Sequence, residues 1–402
     1  MIETAHHRRQ GVALARAGVV AFALICAMAS PARAVVCERT DVPTLIADGK
    51  SAPGRVWCAL PQLSGRRLDD SAPDISAVAC VSDSLCVVAS DEVRFVQVVR
   101  LDLVRHRIVP LRFVYLADTP VTRNGNDRKA APEFDIEAAA AAGDRIVLAG
   151  SHGLSRQGNA LPERYSLFGI DLDETRLDQW PVHRLRDDGE RKRSDGVMPL
   201  VDAQDTKVGL VRRILDVAEP AEGGALKPAW DQCLQDNGFN LEGLAFTEAR
   251  VLIGLRGPVV DGKAFVLAAD RESFLAGRVE RAHVHALPLD GLSGIRSLEP
   301  LGAGVLVMTG RSQPGPADNG PCAGSDQGSL VQPALYYWGG PDDPGTLREV
   351  ARFSEKKHKP EAMTLLSEDE AGREIELLVF FDDQPDGAPV SYRIPFGRPP
   401  GP

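Results

Sequence analysis

The sequence predicts an all-β fold, a β-propeller of four-stranded antiparallel blades. A strand–turn–strand segment recurs five times along the 402 residues, the first strand of each copy carries small side chains, and further strands follow each copy. Repeats of this kind indicate propellers and related arrays. Glycine (38) and proline (29) are plentiful while aromatic residues make up only 5%, which is typical of a chain with many turns.

The recurring segment is a hairpin of two strands. Its first strand is rich in Ala, Gly and Ser, as expected where strands crowd around a central axis. Its second strand is a near-continuous apolar run, typical of a strand buried on both faces. The first strands are 75–80, 136–141, 241–246, 295–300 and 360–365, and the second strands are 85–91, 145–152, 251–256, 305–311 and 375–382.

Two more strands are expected after most copies. Third strands are predicted at 93–102, 164–171, 263–270, 334–338 and 390–396, and fourth strands at 106–115, 176–185, 282–289 and 347–353. The last copy lacks a fourth strand because the chain ends, and Arg55 to Leu63 can supply it from the N-terminal side. We therefore expect this strand to complete the last blade and close the ring, which hides sheet edges that would invite aggregation.

Five blades are favoured over six. The gap between the second and third copies holds an insertion at about 186–238, in which 207–219 is predicted to be helical. The alternative is that this insertion contains a sixth blade.

The first 34 residues have the features of a secretory signal peptide. Basic residues precede an apolar stretch from Ala17 to Ala29 that is too short to span a bilayer comfortably, and a small-x-small cleavage pattern ends at Ala34. We expect a periplasmic or secreted protein with a single domain over 35–402 and no membrane span after cleavage near Ala34. The alternatives are an uncleaved anchor and a lipoprotein, which the bulky Ile25 disfavours.

Removal of the leader reduces seven cysteines to six, an even number that favours disulfides in an exported chain. Cys80 and Cys86 face one another across the first hairpin, so we expect them to bond. The other expected pairs, Cys37–Cys58 and Cys233–Cys322, have no geometric reason behind them. Free buried thiols are the alternative.

The net charge of −10 argues against a nucleic-acid binder, because such proteins need a basic surface. The sequence contains no G-x-S-x-G element, no Walker loop and no dinucleotide fingerprint. We expect a monomer without a recognised catalytic motif.

Antiparallel pairing places the start of each first strand and the end of each second strand at the same edge, and in a propeller these edges surround one mouth of the channel. Loops on such a rigid scaffold commonly bind ligands. Ser76, Asp91 and Arg296 lie at such positions. The residues expected to bind a ligand there are Asp135, Glu137, His152, Asn240, Glu242, Arg256, Arg311, Glu361 and Asp382.

One equivalent position is acidic in three blades: Glu137, Glu242 and Glu361. Converging carboxylates can hold a hard cation such as calcium, or two of them can share acid and base duties. His152 is the best general-base candidate, because its unperturbed pKa lies near neutrality. Arg256 and Arg311 can bind a phosphate or carboxylate. The structural alternative is that these arginines pair with the glutamates, and that the carboxylates accept backbone N–H bonds from the next blade.

The third copy resembles a known family. The run from Asp236 to Phe246, DNGFNLEGLAF, and its continuation through Leu252–Pro258 and Asp261–Ala264 are similar to the bacterial family catalogued as domain of unknown function 3616, over about residues 70–396. The element E-G-L-A is also similar to blades of exported phytase-like or esterase-like propellers. The family resemblance implies an exported, propeller-like protein, and it supplies no reaction and no catalytic residue.

These observations favour a binding or interaction module for a small polar ligand or a protein partner. The alternative is a metal-assisted phosphoesterase or esterase-type hydrolase. Its catalytic candidates are His152, Glu137 and Glu242, and its metal candidates are Glu137, Glu242 and Glu361, with calcium as the expected ion. A purely structural scaffold is the third possibility.

Overall fold

The computed structural model describes residues 42–59, 75–118, 134–182, 192–201, 209–218, 224, 226–314, 322, 331–355, 358–369, 371–382 and 387–397. The predicted leader lies outside these ranges. Four short strands open the described part: β1 (Leu45–Ala47), β2 (Lys50–Ala52), β3 (Arg55–Val56) and β4 (Cys58–Ala59). Over the described ranges, no helix combines the length and the apolar character needed to cross a membrane.

Five antiparallel blades follow, and in blades 1 to 4 the four strands are hydrogen-bonded in chain order. Blade 1 contains β5 (Ala77–Cys80), β6 (Leu85–Ala89), β7 (Phe95–Asp102) and β8 (Arg107–Tyr115). Blade 2 contains β9 (Ile136–Ala142), β10 (Arg145–Gly150), β11 (Leu167–Asp171) and β12 (Val197–Val201). Blade 3 contains β13 (Asn240–Phe246), β14 (Arg250–Gly257), β15 (Lys263–Asp270) and β16 (His283–Pro288).

Blade 4 contains β17 (Ser293–Leu301), β18 (Gly304–Arg311), β19 (Ala334–Trp338) and β20 (Leu347–Phe353). Blade 5 contains β21 (Pro360–Glu368), β22 (Glu374–Phe381) and β23 (Val390–Pro395), and its fourth strand is β3 from the N-terminal side. The predicted five-bladed propeller is therefore confirmed.

The innermost strands form a closed circle. β5 contacts β9, and the contacts continue through β13, β17 and β21 back to β5. An apolar layer lies between each adjacent pair of blades. The approach is close between blades 3 and 4, where a Cβ on Gly243 of the inner strand β13 would lie 2.8 Å from Leu298 Cγ. Small residues on the inner strands are thus a packing requirement.

The N-terminal segment links three consecutive blades. β1 pairs with β20 of blade 4, β3 pairs with β23 of blade 5, and β4 pairs in parallel with β8 of blade 1. The predicted closure by Arg55 to Leu63 is confirmed, but the strand is divided. Arg55–Val56 completes blade 5, and the chain then crosses at the buried Trp57 to the next blade.

The fourth strand of blade 2 differs from the prediction of 176–185. Glu174–Gln179 forms a 3-10 helix, and Asp173 caps it by accepting a hydrogen bond from the backbone N–H of Thr175. β12, twenty residues later, takes the outer position instead. The Asp173 side chain supplies a local partner for the backbone, which favours a helix start over a strand.

The insertion contains the predicted helix, α1 (Leu210–Val217). Its apolar face, with Leu210, Val211, Ile214 and Leu215, is buried in the layer between blades 2 and 3. A second helix, α2 (Arg271–Leu275), follows β15, and Asp270 caps it by accepting a hydrogen bond from Ser273 N–H. The part of the insertion that the structure describes therefore covers a blade junction and adds no sixth blade.

Two of the predicted disulfides are present, Cys80–Cys86 and Cys233–Cys322. The first closes the β5–β6 hairpin, as its position predicted, and the second ties the end of the insertion to a loop of blade 4. Cys58 is also disulfide-bonded. Its predicted partner Cys37 lies outside the described residues.

The two disulfides should differ in their contribution to stability. Their half-cystines are 6 and 89 residues apart, and loop-closure entropy grows with separation. Replacing Cys80 and Cys86 by Ser should cost about 2 kcal/mol, and replacing Cys233 and Cys322 about 4 to 5 kcal/mol. Guanidinium unfolding of both double variants measures the difference, and equal costs would contradict it.

Candidate functional site

A β-bulge interrupts the innermost strand of blades 2 to 5 at the same position. At each bulge one residue has no partner on the neighbouring strand, and these residues are Glu137, Glu242, Arg296 and Glu361. Ser76 holds the corresponding place in blade 1, directly before β5. Bulges re-aim side chains, so one backbone irregularity, repeated around the ring, presents charged groups to the hub.

Arg296 joins two of these carboxylates. Its Nε lies 2.9 Å from Glu242 Oε2, and its Nη2 forms an ion pair with Glu361 Oε2. Arg256 Nη1 donates a second hydrogen bond to Glu242 at 2.7 Å. Glu242 and Arg296 are 3% and 5% exposed, so water screens this network little.

This network adds a residue to the expected pairs. Arg296 pairs with both Glu242 and Glu361, because it occupies the ring position between them. The three glutamates do not form one metal-binding group, since Arg296 neutralises two of them. Among the described residues, the acidic group that comes close enough together is Asp91, Asp135 and Glu137.

The carboxylate oxygens of these three residues lie within 4.8 Å of one another. Burial raises the pKa of Glu137 well above its ordinary value, and the neighbouring carboxylates of Glu242, Asp135 and Asp91 raise it further. Asp135 Oδ2 also forms an ion pair with Arg164 Nη1 at 2.9 Å. Acidic side chains are therefore concentrated where blades 1 and 2 meet at the hub.

A cavity of about 460 Å³ lies over this hub. Every blade contributes to its wall, and the contributing positions are mainly the starts of first strands and the ends of second strands. The expected ligand-binding residues that line it are Asp135, Glu137, Asn240, Arg256, Arg311, Glu361 and Asp382.

Two expected residues lie elsewhere. Glu242 is buried behind the wall, where it holds Arg256 and Arg296. His152 is fully buried beside the insertion, with Nδ1 2.8 Å from the carbonyl oxygen of Gly150 and its ring edge-on to Tyr165 and Trp230. Burial lowers the pKa of His152 to about 4. It does not line the cavity, because Tyr165 of blade 2 and Trp230 of the insertion pack around its buried ring.

Some lining residues were not among those expected. Arg156 comes from the connection between β10 and β11, Arg164 lies in a 3-10 helix (Pro162–Tyr165) where the third strand was predicted to begin, and His358 precedes β21. Lys359 also lines the cavity and lies 3.5 Å from Asp382 Oδ2. Charge in a loop is normal for any soluble protein, so their presence at the hub could not be inferred before the loops were placed.

Comparison with known proteins supports the family resemblance. Residues 232–389 match the model of the family described as protein of unknown function (DUF3616). The resemblance expected from the sequence is thereby confirmed. The DUF3616 match spans blades 3 and 4 and the first two strands of blade 5. A search among curated proteins finds no match.

Several solved structures share a distant likeness. A suggested 6-phosphogluconolactonase from Bacteroides uniformis is 10% identical, with a TM-score of 0.30 and coverage of 90% of this chain and 98% of that chain. A protein from Lactobacillus plantarum is 11% identical, with a TM-score of 0.32 and coverage of 88% and 82%. The WD40 β-propeller domain of Doa1 is 9% identical, with a TM-score of 0.29 and coverage of 85% and 97%. Likeness at this level says nothing about function.

Removal of Arg296 should destabilise the propeller strongly. Arg296→Met leaves the buried carboxylates of Glu242 and Glu361 without this partner, which typically costs about 3 to 5 kcal/mol. Urea unfolding measures this loss. Arg100→Met, at an exposed pair with Glu174, is the control and should cost no more than about 1 kcal/mol.

His152 should make stability depend on pH. Its pKa is about 4 in the folded protein and 6.5 in the unfolded chain, so the unfolded chain binds more protons between these values. The free energy of unfolding should therefore fall by about 3 kcal/mol from this residue as the pH drops from 6.5 to 4.

His152→Asn tests this pH dependence. The residue has a positive φ of 57°, which Asn tolerates better than most residues. The variant should show a flatter pH profile between pH 4 and 6.5, whatever its overall stability. His283→Asn, at an exposed position, should keep the wild-type slope. Parallel profiles for His152→Asn and the wild type would contradict the prediction.

Proposed function

We propose that this protein is a binding module that takes a small polar ligand into the hub cavity. The observation that carries the proposal is one cavity of about 460 Å³ with charged side chains from all five blades in its wall. This volume falls in the range of small-molecule sites. A wall assembled from every blade also holds its groups on a closed scaffold, which limits the cost of ordering them on binding.

The distribution of charge indicates the class of ligand. The wall contains six carboxylates and six Lys or Arg side chains, so a ligand of one charge meets no large net attraction. The two signs are unevenly distributed, however. Blades 1 and 2 supply four carboxylates together with Arg156 and Arg164, while blades 3 and 4 supply three arginines and no carboxylate. A ligand with an anionic group toward blades 3 and 4 fits this arrangement.

The arginines are held in position for such a group. Arg256 is fixed by Glu242 and by its own Nε, which donates to the carbonyl oxygen of Ser312 at 3.1 Å. Arg296 is fixed between two carboxylates. Groups locked by neighbours before binding lose little freedom when a ligand arrives. Phosphate and carboxylate are the anions that a guanidinium binds best.

A hydrolase is the second candidate. A Glu137 carboxyl with a raised pKa beside Asp91 and Asp135 favours it, since a general acid needs a protonated group near neutral pH. Against it, Glu242 and Glu361 are held in ion pairs and His152 is enclosed away from the cavity. Binding therefore requires fewer further assumptions than catalysis.

An exported, monomeric protein remains part of the proposal. Disulfides in the described residues suit an oxidising compartment. A protein partner, instead of a small ligand, would use the same mouth of the channel.

A ligand screen tests the proposal. Thermal shift against phosphorylated sugars, dicarboxylates and zwitterionic amino acids should identify compounds that raise the melting temperature. Arg311→Gln should weaken a hit by roughly tenfold to a hundredfold, because a charged hydrogen bond is lost. Arg100→Gln, which leaves the cavity intact, should bind like the wild type. No hit in the whole screen, or equal binding by Arg311→Gln, would contradict it. Turnover of a chromogenic phosphate or carboxylic ester would favour the hydrolase.

A further inference from the structure

The acidic group at the junction of blades 1 and 2 has the geometry of a cation site. One carboxylate oxygen from each of Asp91, Asp135 and Glu137 lies within 4.8 Å of the other two. Three different backbone positions converge here: the end of the second strand of blade 1, the residue before β9, and the bulge in β9. Ser76 Oγ donates to the carbonyl oxygen of Ile136 at 2.5 Å and so holds the backbone between the last two.

Asn240 supplies a second, independent observation. Its side chain lines the same cavity and is only 5% exposed. Its amide oxygen Oδ1 is buried and accepts no hydrogen bond from the described residues. An unsatisfied buried acceptor costs free energy, so it calls for a partner in the functional protein.

Two backbone hydrogen bonds connect the strand of Asn240 to the acidic group. Leu241 N–H donates to the carbonyl oxygen of Ser151 at 2.7 Å, and Ser151 N–H donates to that of Asp135 at 2.9 Å. The amide nitrogen Nδ2 of Asn240 faces Gly153. A Cβ atom added to Gly153 would lie 3.3 Å from this nitrogen. Oδ1 is therefore the amide atom that is left without a partner among the described residues.

We propose that Asp91, Asp135 and Glu137, together with the amide oxygen of Asn240, bind a calcium ion. Of the three glutamates expected from the sequence to bind a metal, this site contains only Glu137. The calcium site does not depend on which ligand the cavity binds. Carboxylate and amide oxygens are the ligands that calcium prefers, and the open cavity supplies room for water at the remaining positions. The cation also relieves repulsion among the carboxylates.

The set of ligands favours calcium over magnesium. Calcium accepts several carboxylate and amide oxygens in a flexible geometry, whereas magnesium keeps several waters and is usually bound through one or two carboxylates. Three carboxylates and one amide oxygen therefore suit calcium better.

Calcium and magnesium titrations of the chelator-treated protein test the site, with the metal alone as the probe. Isothermal calorimetry should show binding of Ca²⁺ that is stronger than that of Mg²⁺, and millimolar Ca²⁺ should raise the melting temperature. Glu137→Gln and Asp91→Asn should each weaken Ca²⁺ binding by at least about tenfold, because one charged ligand is lost. Glu92→Gln carries the same change of charge in the same cavity, outside the acidic group, and should bind within about twofold of the wild type.

The order of melting temperatures gives a second measurement. With chelator, Glu137→Gln should melt no lower than the wild type, because the amide removes repulsion between carboxylates. With Ca²⁺, the wild type should melt higher. No Ca²⁺ binding by the wild type, or equal weakening by Glu92→Gln, overturns the proposal. Wild-type affinity in Asp91→Asn overturns it as well, even where Glu137→Gln folds poorly. If these results overturn the calcium site but the protein still binds a ligand in the hub cavity, the proposed function is not contradicted.

Discussion

The buried ion pairs of Arg296 are the interaction on which the hub depends. One guanidinium from blade 4 contacts Glu242 of blade 3 and Glu361 of blade 5, so it couples three blades at their narrowest point. Buried charges are costly to desolvate and seldom add net stability compared with apolar packing. Here the ion pairs fix the positions of side chains, because the same contacts hold Arg256 and Arg296 in the wall of the cavity.

The repeated bulge explains how a packed ring can carry a polar site. A regular inner strand alternates its side chains between the two neighbouring apolar layers. The bulge removes one residue from that alternation in blades 2 to 5 and directs it to the axis. Each of these blades therefore keeps its two apolar faces, and one residue of its inner strand points to the hub. Variation at that single position changes the chemistry of the hub without disturbing the layers.

Much of the fold was predictable from the sequence because its signals are local. The strands of blades 3 and 4 follow the apolar runs within about two residues at each end, and Cys80–Cys86 follows from one hairpin. The failures arose where a local partner competed with the sheet. Asp173 starts a helix where a strand was expected, and the N-terminal strand divides at Trp57, whose ring needs a buried place. His152 looked like a hub residue because it follows β10, yet the insertion encloses it.

The sequence by itself determined the five-fold repeat, the small inner strands, the closure of the ring and the positions from which side chains reach the hub. These follow from periodicity and antiparallel pairing, which act over a few residues. Only the tertiary structure decided which charges meet. Arg296 lies between two glutamates, and Asp91 lies beside Asp135 and Glu137, because residues 44 to 65 positions apart become neighbours when the blades pack around the axis. The position of a residue within its strand decides whether its side chain lies near the mouth of the channel. Which side chain it contacts across the hub depends on rotamers and bulges that form only in the closed ring.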